Sequence, residues 1–232
     1  MSNSKYKFFI FVGLKKIIFS VLDDNNETFF TKEMSINCQT FEENLDSLNE
    51  FISANIISFE KELSIYIKDI FLIIDYNDFI SLDLSTLNNI NNTNNSIFDN
   101  TNYLMNIKNN VENHMYDYDL IHMNITKYIV EGNKYSIIPK DITGKKIFLE
   151  IRFIFLHNKI VLDLKKTFFK YQISVNKILS SEHLKKLSNE NENNIFKLAN
   201  CSIDELQENE IYISKKSFKN PGFFERFFNF FR

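Results

Sequence analysis

The sequence is poor in the residues that build tight ligand loops, since its 232 residues include only 4 glycines and 2 prolines. Loops that cradle phosphate groups need backbone amides close to the ligand, and they therefore use clustered glycines. No such cluster occurs here; the nearest candidate is the turn Gly13-Leu14-Lys15-Lys16, whose single glycine and two lysines also suit an ordinary hairpin. Gly13 and Lys16 are thus the remaining candidates for binding a cofactor, and we expect no cofactor.

Residues that ligate metals or act as nucleophiles are equally scarce. Cys38 and Cys201 have no motif spacing, which favours two thiols in a reducing cytoplasm over a disulfide. The histidines show no ligand-like spacing with each other or with cysteine, so we predict no metal site; they are His114, His122, His157 and His183. Because no Ser/His/Asp or Cys/His arrangement has local support, we expect no enzymatic activity.

Strong charge and long apolar runs are also missing. The formal net charge is -3, which gives no whole-protein attraction to nucleic acid, so we expect no nucleic-acid partner. The longest apolar run, residues 8–22, is interrupted by Lys15 and Lys16 and is too short to span a bilayer. The first residues lack a small-residue cleavage site, so we expect no signal peptide and a cytoplasmic protein.

Phenylalanine is abundant, and at the C-terminus it is segregated onto one side of a predicted helix. Asn220 can cap this helix, and Pro221 suits its first turn. At 100° per residue, six phenylalanines cover an arc of roughly 160°, and every polar residue falls outside it. The six are Phe223, Phe224, Phe227, Phe228, Phe230 and Phe231. A helix of this length is marginal in water, so it needs a surface that buries these rings.

We interpret residues 220–232 as an amphipathic helix that binds the membrane surface. Five basic residues lie upstream of the phenylalanine arc or beside it, and they would favour an anionic lipid surface; they are Lys215, Lys216, Lys219, Arg226 and Arg232. The alternative is a terminal helix that docks on its own domain or in a dimer groove.

Apolar periodicity predicts an α+β protein. Residues 6–13, 16–22 and 27–34 are expected to form an antiparallel meander, followed by an amphipathic helix with Thr40 as cap and Glu43 as capping-box partner. Residues 65–74 predict a buried strand, and residues 79–84 an edge strand. The Asn-rich residues 85–102 predict a flexible loop and a domain boundary.

A second group of elements follows that boundary. The pattern predicts a helix at 103–114, strands at 119–130, 134–138 and 146–157, a helix at 159–171, a strand at 173–179 and a short helix at 181–188. Residues 195–213 are expected to return one more strand, and residues 214–220 form a basic linker. We therefore divide the chain into segments 1–100, 101–190, 191–219 and 220–232.

The order of these elements resembles FtsA, the actin-like membrane tether of bacterial cell division. The turn FVGLKKI (residues 11–17) is similar to the family's phosphate loop Asp-x-Gly-Ser/Thr-Ser/Thr-Lys-Ile, and it matches at Gly13, Lys16 and Ile17 but lacks the acid and both hydroxyls. Three later segments look like further family motifs; they are residues 70–80, 120–132 and 141–155. The tail at residues 222–232 is similar to the family's GW-x-KRL-x-x-W-x-R ending.

This resemblance implies a partial actin-like domain, the first half of that fold, with an inserted SHS2-type subdomain at 101–190. The family continues into a second phosphate loop and a second actin half, which this chain lacks. The resemblance therefore implies a division-site membrane tether or adaptor that self-associates and recruits division proteins, with the usual FtsZ-contacting subdomain missing. The alternatives are a PilM-like pilus-assembly adaptor, a nucleotide-dependent actin-like ATPase, and a plain dimer with a swapped tail.

Overall fold

A computed structural model of the chain describes residues 6–89, 101–137, 146–187 and 194–204. These residues form a mixed α+β structure with two sheets. The strands are β1 (Tyr6–Gly13), β2 (Lys16–Asp23), β3 (Thr28–Ser35), β4 (Asp69–Asp75), β5 (Ile80–Asn89), β6 (Tyr118–Val130), β7 (Asn133–Tyr135), β8 (Lys146–His157) and β9 (Ser174–Ser180). The helices are α1 (Phe41–Leu63), α2 (Thr101–His114), α3 (Asn158–Phe169), α4 (Ser181–Leu187) and α5 (Ile195–Asp204).

The first sheet has the strand order β3-β2-β1-β4-β9. Strands β1, β2 and β3 form the predicted antiparallel meander, whereas β4 runs parallel to both β1 and β9. Six of the eight residues of β1 and of β2 are buried. Continuous burial of this kind requires helices on both faces of the sheet.

Helices α1 and α3 cover one face, and α4 and α5 cover the other. On the first face, the Phe19 ring of β2 lies parallel to the Phe59 ring of α1, with ring centroids 4.5 Å apart. On the second face, Phe9 of β1 meets Phe196 of α5 edge-on at 6.3 Å. Helix α1 begins where the sequence predicts, because the Thr40 hydroxyl accepts a hydrogen bond from the Glu43 amide at 3.2 Å.

The second sheet has the order β5-β8-β6-β7 and is antiparallel throughout. Its inner face packs against α2, which buries Leu104 against Leu149, Ile151 and Phe153. Leu156, near the end of β8, is fully buried in the hydrophobic core of the first sheet, and it thereby connects the two sheets. On the outer face Arg152 donates to both carboxylate oxygens of Asp83, at 2.7 and 2.9 Å.

The structure differs from the sequence prediction in several places, and the strand predicted at 65–74 begins only at Asp69. Residues 85–89 are the end of β5 rather than a loop, because they pair with residues 146–150 of β8. Residues 195–204 are helical rather than a strand, since Phe196 and Ala199 lie three positions apart and are both buried. The chain enters the second sheet at β5 and returns to the first sheet with α3 and β9.

Three predicted segments lie outside the described residues, namely the turn at 141–145, the basic linker at 214–220 and the tail at 220–232. Among the helices of the described ranges, none combines the length and the apolar character needed to cross a bilayer.

Candidate functional site

The carboxyl edge of the first sheet carries a cavity of about 430 Å³. Parallel strands β1 and β4 both end there, with Gly13 opposite Asp75. The amino ends of α1 and α3 reach the same edge, so loops from four elements enclose the space. The lining residues are Leu14, Gln39, Thr40, Phe41, Glu42, Tyr76, Asn77, Asp78, Lys159 and Ile160. Edges of this kind are where open α/β sheets hold ligands, so the cavity is the first candidate for a site.

The β1–β2 turn beside the cavity is closed by its neighbours. The carbonyl oxygen of Gly13 accepts from Asn44 Nδ2 at 2.6 Å, and Asn44 is fully buried in α1. The next two carbonyls accept from backbone amides of the segment after β3: Leu14 from Cys38 at 3.0 Å and Lys15 from Ile36 at 2.9 Å. Three successive carbonyls of the turn therefore accept hydrogen bonds, one from α1 and two from the segment after β3, whereas a phosphate cradle requires converging amides.

Lys16, the second residue that the sequence singled out, does not line the cavity. Its ammonium lies 3.3 Å from a carboxylate oxygen of Glu33 on β3, in an exposed ion pair. Gly13 is buried at the base of the turn, and a Cβ there would approach the Phe11 ring to 2.9 Å. The close approach of the Phe11 ring therefore accounts for the glycine at this position.

Tyr76 is the most unusual side chain of the cavity lining. It is 92% buried, and its hydroxyl makes no hydrogen bond to any residue in the described part of the chain. Burial raises the pKa of the phenol, with smaller contributions from Cys38 and Asp78, so the group stays a neutral donor. The ring packs edge-on against Phe41 at 5.9 Å, and a Glu42–Lys159 pair at 4.0 Å lies nearby. The cavity offers apolar contact, one buried donor and mixed charge.

A second polar cluster lies where β4 and β9 meet α4. The Ser181 hydroxyl donates to the Asp75 carboxylate, and the Lys185 ammonium lies 3.4 Å from the same carboxylate oxygen. One residue before Ser181, the Ser180 amide donates to Nε2 of His122 at 3.0 Å. This nitrogen is therefore unprotonated. These contacts fix the start of α4 against the ends of both strands.

The buried histidines belong to the junction between the two sheets. His122 of β6 and His183 of α4 are 2% and 4% exposed, with ring centroids 4.1 Å apart. Within the described ranges no three His, Cys, Asp or Glu side chains are grouped so as to hold a metal ion. Cys38 and Cys201 form no disulfide.

The predicted membrane-binding residues, from Lys215 to Arg232, all lie outside the described residues. Sequence reasoning missed Tyr76 and Asn44, although each left a signal. Tyr76 begins a polar break directly after a buried strand, and Asn44 interrupts the apolar stripe between Phe41 and Leu48. Such a polar residue on a buried stripe indicates a hydrogen bond to be satisfied inside the core.

Comparison with known proteins finds similarity in structure but not in sequence. Neither a protein-family profile nor a curated protein sequence matches the chain. The cytoplasmic domain of EpsL, an inner membrane component of the type II secretion system of Vibrio cholerae, is similar with a TM-score of 0.38 and 9% identity over 80% of this chain. A Bacteroides thetaiotaomicron protein of actin-like ATPase fold and unknown function is similar with a TM-score of 0.33 and 12% identity over 78%.

A third similar structure is the Argonaute of Marinitoga piezophila in complex with a guide RNA, with a TM-score of 0.26 and 14% identity over 72% of this chain. The chain spans 59%, 54% and 27% of the lengths of these three proteins. All three similarities are distant, with TM-scores below 0.4 and sequence identities below 15%.

Proposed function

We propose that this protein is a non-enzymatic adaptor that its C-terminal segment holds on the cytoplasmic face of the cell membrane. The observation that carries the proposal is the segregation of six phenylalanines onto one side of residues 221–232, behind a lysine-containing linker. The closed β1–β2 turn supports the non-enzymatic part, because its carbonyls are occupied by Asn44, Cys38 and Ile36 and no glycine cluster is present.

The finer assignment is to the division site of the cell. It rests on the resemblance of the sequence motifs to FtsA, and it implies self-association and recruitment of other division proteins, with direct FtsZ binding an open part of the proposal. The alternatives are a PilM-like pilus adaptor and an actin-like ATPase. The C-terminal tail argues against the pilus adaptor, because the resemblance to PilM includes no such segment.

The expected membrane affinity is modest for a single chain. Full burial of one phenylalanine side chain stabilises by about 1.5–3 kcal/mol, and shallow insertion recovers part of that. Ordering each backbone residue costs about 1–2 kcal/mol, partly offset by helix formation. The net is comparable to a single lipid chain, which attaches reversibly. Several tails on one assembly would bind far longer without any new contact.

Vesicle co-sedimentation tests this proposal. The double substitution Phe227→Glu with Phe228→Glu places two carboxylates in the centre of the apolar arc, so we expect it to release the protein from phosphatidylglycerol vesicles. The matched control, Ser217→Glu with Asn229→Glu, adds the same charge outside the arc and should keep most of the binding. Equal sedimentation of the parent and the Phe227/Phe228 variant would show that the tail is a docked structural helix.

A further inference from the structure

Two aromatic rings project from one corner of the first sheet. Tyr66 is 80% exposed in the loop between α1 and β4, and Phe169 is 79% exposed in the last turn of α3. Both loops lead into the amino ends of parallel strands, where Asp69 of β4 pairs with Ser174 of β9. The Ser174 amide donates to the Lys68 carbonyl at 2.9 Å, which ties the two loops together. The two rings therefore belong to one surface.

The same loops bury their aliphatic residues. Ile67, next to Tyr66, is 3% exposed, and Ile173, four residues after Phe169, is 2% exposed. The loops are thus well packed, and the exposure of the rings does not come from a poorly formed region. A single exposed aromatic residue needs no explanation, but two that are almost fully exposed at one corner of a packed core form a candidate contact surface.

The surroundings of the rings are predominantly basic. Lys61, Lys68 and Lys170 are exposed in the same segments, against the exposed carboxylates of Glu62 and Asp69. Lys165 and Lys166 are also exposed on the last turns of α3, where the Lys166 ammonium lies 3.7 Å from the Asp163 carboxylate. We call Tyr66, Phe169, Lys61, Lys68 and Lys170 the aromatic corner. Aromatic rings beside lysines suit the boundary of an anionic bilayer, where rings enter the headgroup layer and ammonium groups meet phosphates.

The other end of the same sheet edge is acidic. The turn between β2 and β3 carries Asp23, Asp24 and Glu27, of which Glu27 is paired with Lys197 at 2.9 Å. An anionic surface would repel this turn. The charge pattern therefore favours contact of such a surface with the other end of the edge, at β4 and β9.

The described chain also ends at this edge. Asn200, near the end of α5, accepts from Lys7 Nζ at 2.8 Å and donates to Asn26 Oδ1 at 3.0 Å. Lys7 lies at the start of β1, and Asn26 lies in the β2–β3 turn, so both mark the amino edge of the sheet. The described residues therefore end near the β2–β3 turn at this amino edge, and residues 205–220 connect them in sequence to the predicted membrane-binding tail.

From this juxtaposition we propose that the aromatic corner is a second membrane contact, which lays the amino edge of the first sheet on an anionic lipid surface. The inference rests on the proposed function, because the tail supplies the first attachment. The corner then fixes the orientation of the folded part. The cavity at the carboxyl edge faces away from the bilayer, where it is open to partners in the cytoplasm.

The absence of tryptophan from the sequence permits a direct test in the full chain. Three variants each introduce one tryptophan: Tyr66→Trp, Phe169→Trp and the control Tyr116→Trp. Tyr116 is 77% exposed, and its carbonyl accepts from Asn158 at the first residue of α3, at the opposite end of that helix from Phe169. Emission is measured on phosphatidylglycerol vesicles with and without brominated acyl chains, which quench only an inserted ring.

We expect roughly twofold quenching for Tyr66→Trp and Phe169→Trp, since interfacial rings reach the acyl boundary, and none for the Tyr116→Trp control. In co-sedimentation, the pair Tyr66→Ser with Phe169→Ser should bind vesicles about tenfold more weakly, equivalent to about 1.4 kcal/mol, whereas Tyr116→Ser should bind like the parent. If the protein binds vesicles but no tryptophan is quenched, the corner is not a membrane contact and the tail proposal stands. If the parent does not bind vesicles at all, both proposals fail.

Discussion

Asn44→Asp tests how the β1–β2 turn is held closed. Asn44 is fully buried, its amide nitrogen donates to the Gly13 carbonyl at 2.6 Å, and its own oxygen has no partner among the described residues. Aspartate replaces the donor with a second acceptor that faces the carbonyl. Losing the hydrogen bond while leaving the carbonyl buried costs about 1–3 kcal/mol. Burial raises the pKa of a carboxyl group at this position, and each unit of that rise costs about 1.4 kcal/mol of stability at neutral pH.

Together these terms predict that Asn44→Asp lowers the free energy of unfolding by roughly 3–5 kcal/mol at pH 7. Because the folded-state pKa of the new carboxyl lies above its unfolded value, the loss becomes smaller as the pH falls, and a protonated carboxyl can again donate to Gly13. Urea unfolding at pH 7 and pH 5 measures both effects. The control is Asn49→Asp, the same substitution at a half-buried position of the same helix. If both variants unfold at the same urea concentration at pH 7, the contact does not close the turn.

Two further predictions follow from the same structure. Isothermal titration with ATP and magnesium should show no binding, because the turn after Val12 presents occupied carbonyls and lacks the acid and hydroxyls of the FtsA phosphate loop that it resembles; micromolar affinity would refute this. The hydrogen bond from Arg152 lowers the pKa of Asp83 in the folded protein. The pair therefore stabilises the fold at pH values above the pKa of aspartate in the unfolded chain, and this contribution is lost as the pH falls through the pKa of Asp83 in the folded protein. Since Asp83 is largely exposed, Asp83→Asn should cost at most about 1 kcal/mol at pH 7 and less near pH 3; an equal cost at both values would contradict this.

Local signals in the sequence predicted much of the architecture. The start of α1 follows from Thr40, whose hydroxyl accepts from the Glu43 amide as expected of a helix cap. In the capping box itself, however, the Glu43 carboxylate accepts from the Gln39 amide at 2.8 Å rather than from Thr40. The meander also follows from local spacing, since β1 and β2 are separated by a two-residue turn.

The sequence could not predict which distant elements meet. Strand β9 pairs with β4 across about a hundred residues, and neither strand contains a signal that selects the other. Residues 85–89 look like a loop because they are polar, but their backbone is held by β8. Residues 195–204 were expected as a strand, and their helical burial becomes visible only beside Phe9.

At the candidate site, too, local features could be predicted from the sequence, whereas contacts between distant elements could not. Glycine scarcity predicts a turn unsuited to phosphate, and this stays a prediction; the structure adds that the carbonyls of Gly13 and Leu14 accept hydrogen bonds from Asn44 and Cys38. The buried hydroxyl of Tyr76 depends on the position of Phe41 from a different element, so its isolation could not be read from the local sequence.

The distribution of the protein in the cells that make it tests the membrane-adaptor proposal most directly. A fluorescent fusion at the N-terminus leaves residues 221–232 in their natural position. We predict fluorescence at the cell membrane for the full chain and for Ser217→Glu with Asn229→Glu, and dispersed fluorescence for Phe227→Glu with Phe228→Glu. Enrichment at the septum would further support a division role. Membrane fluorescence that survives the Phe227 and Phe228 substitutions, or its absence from the parent, would contradict the account.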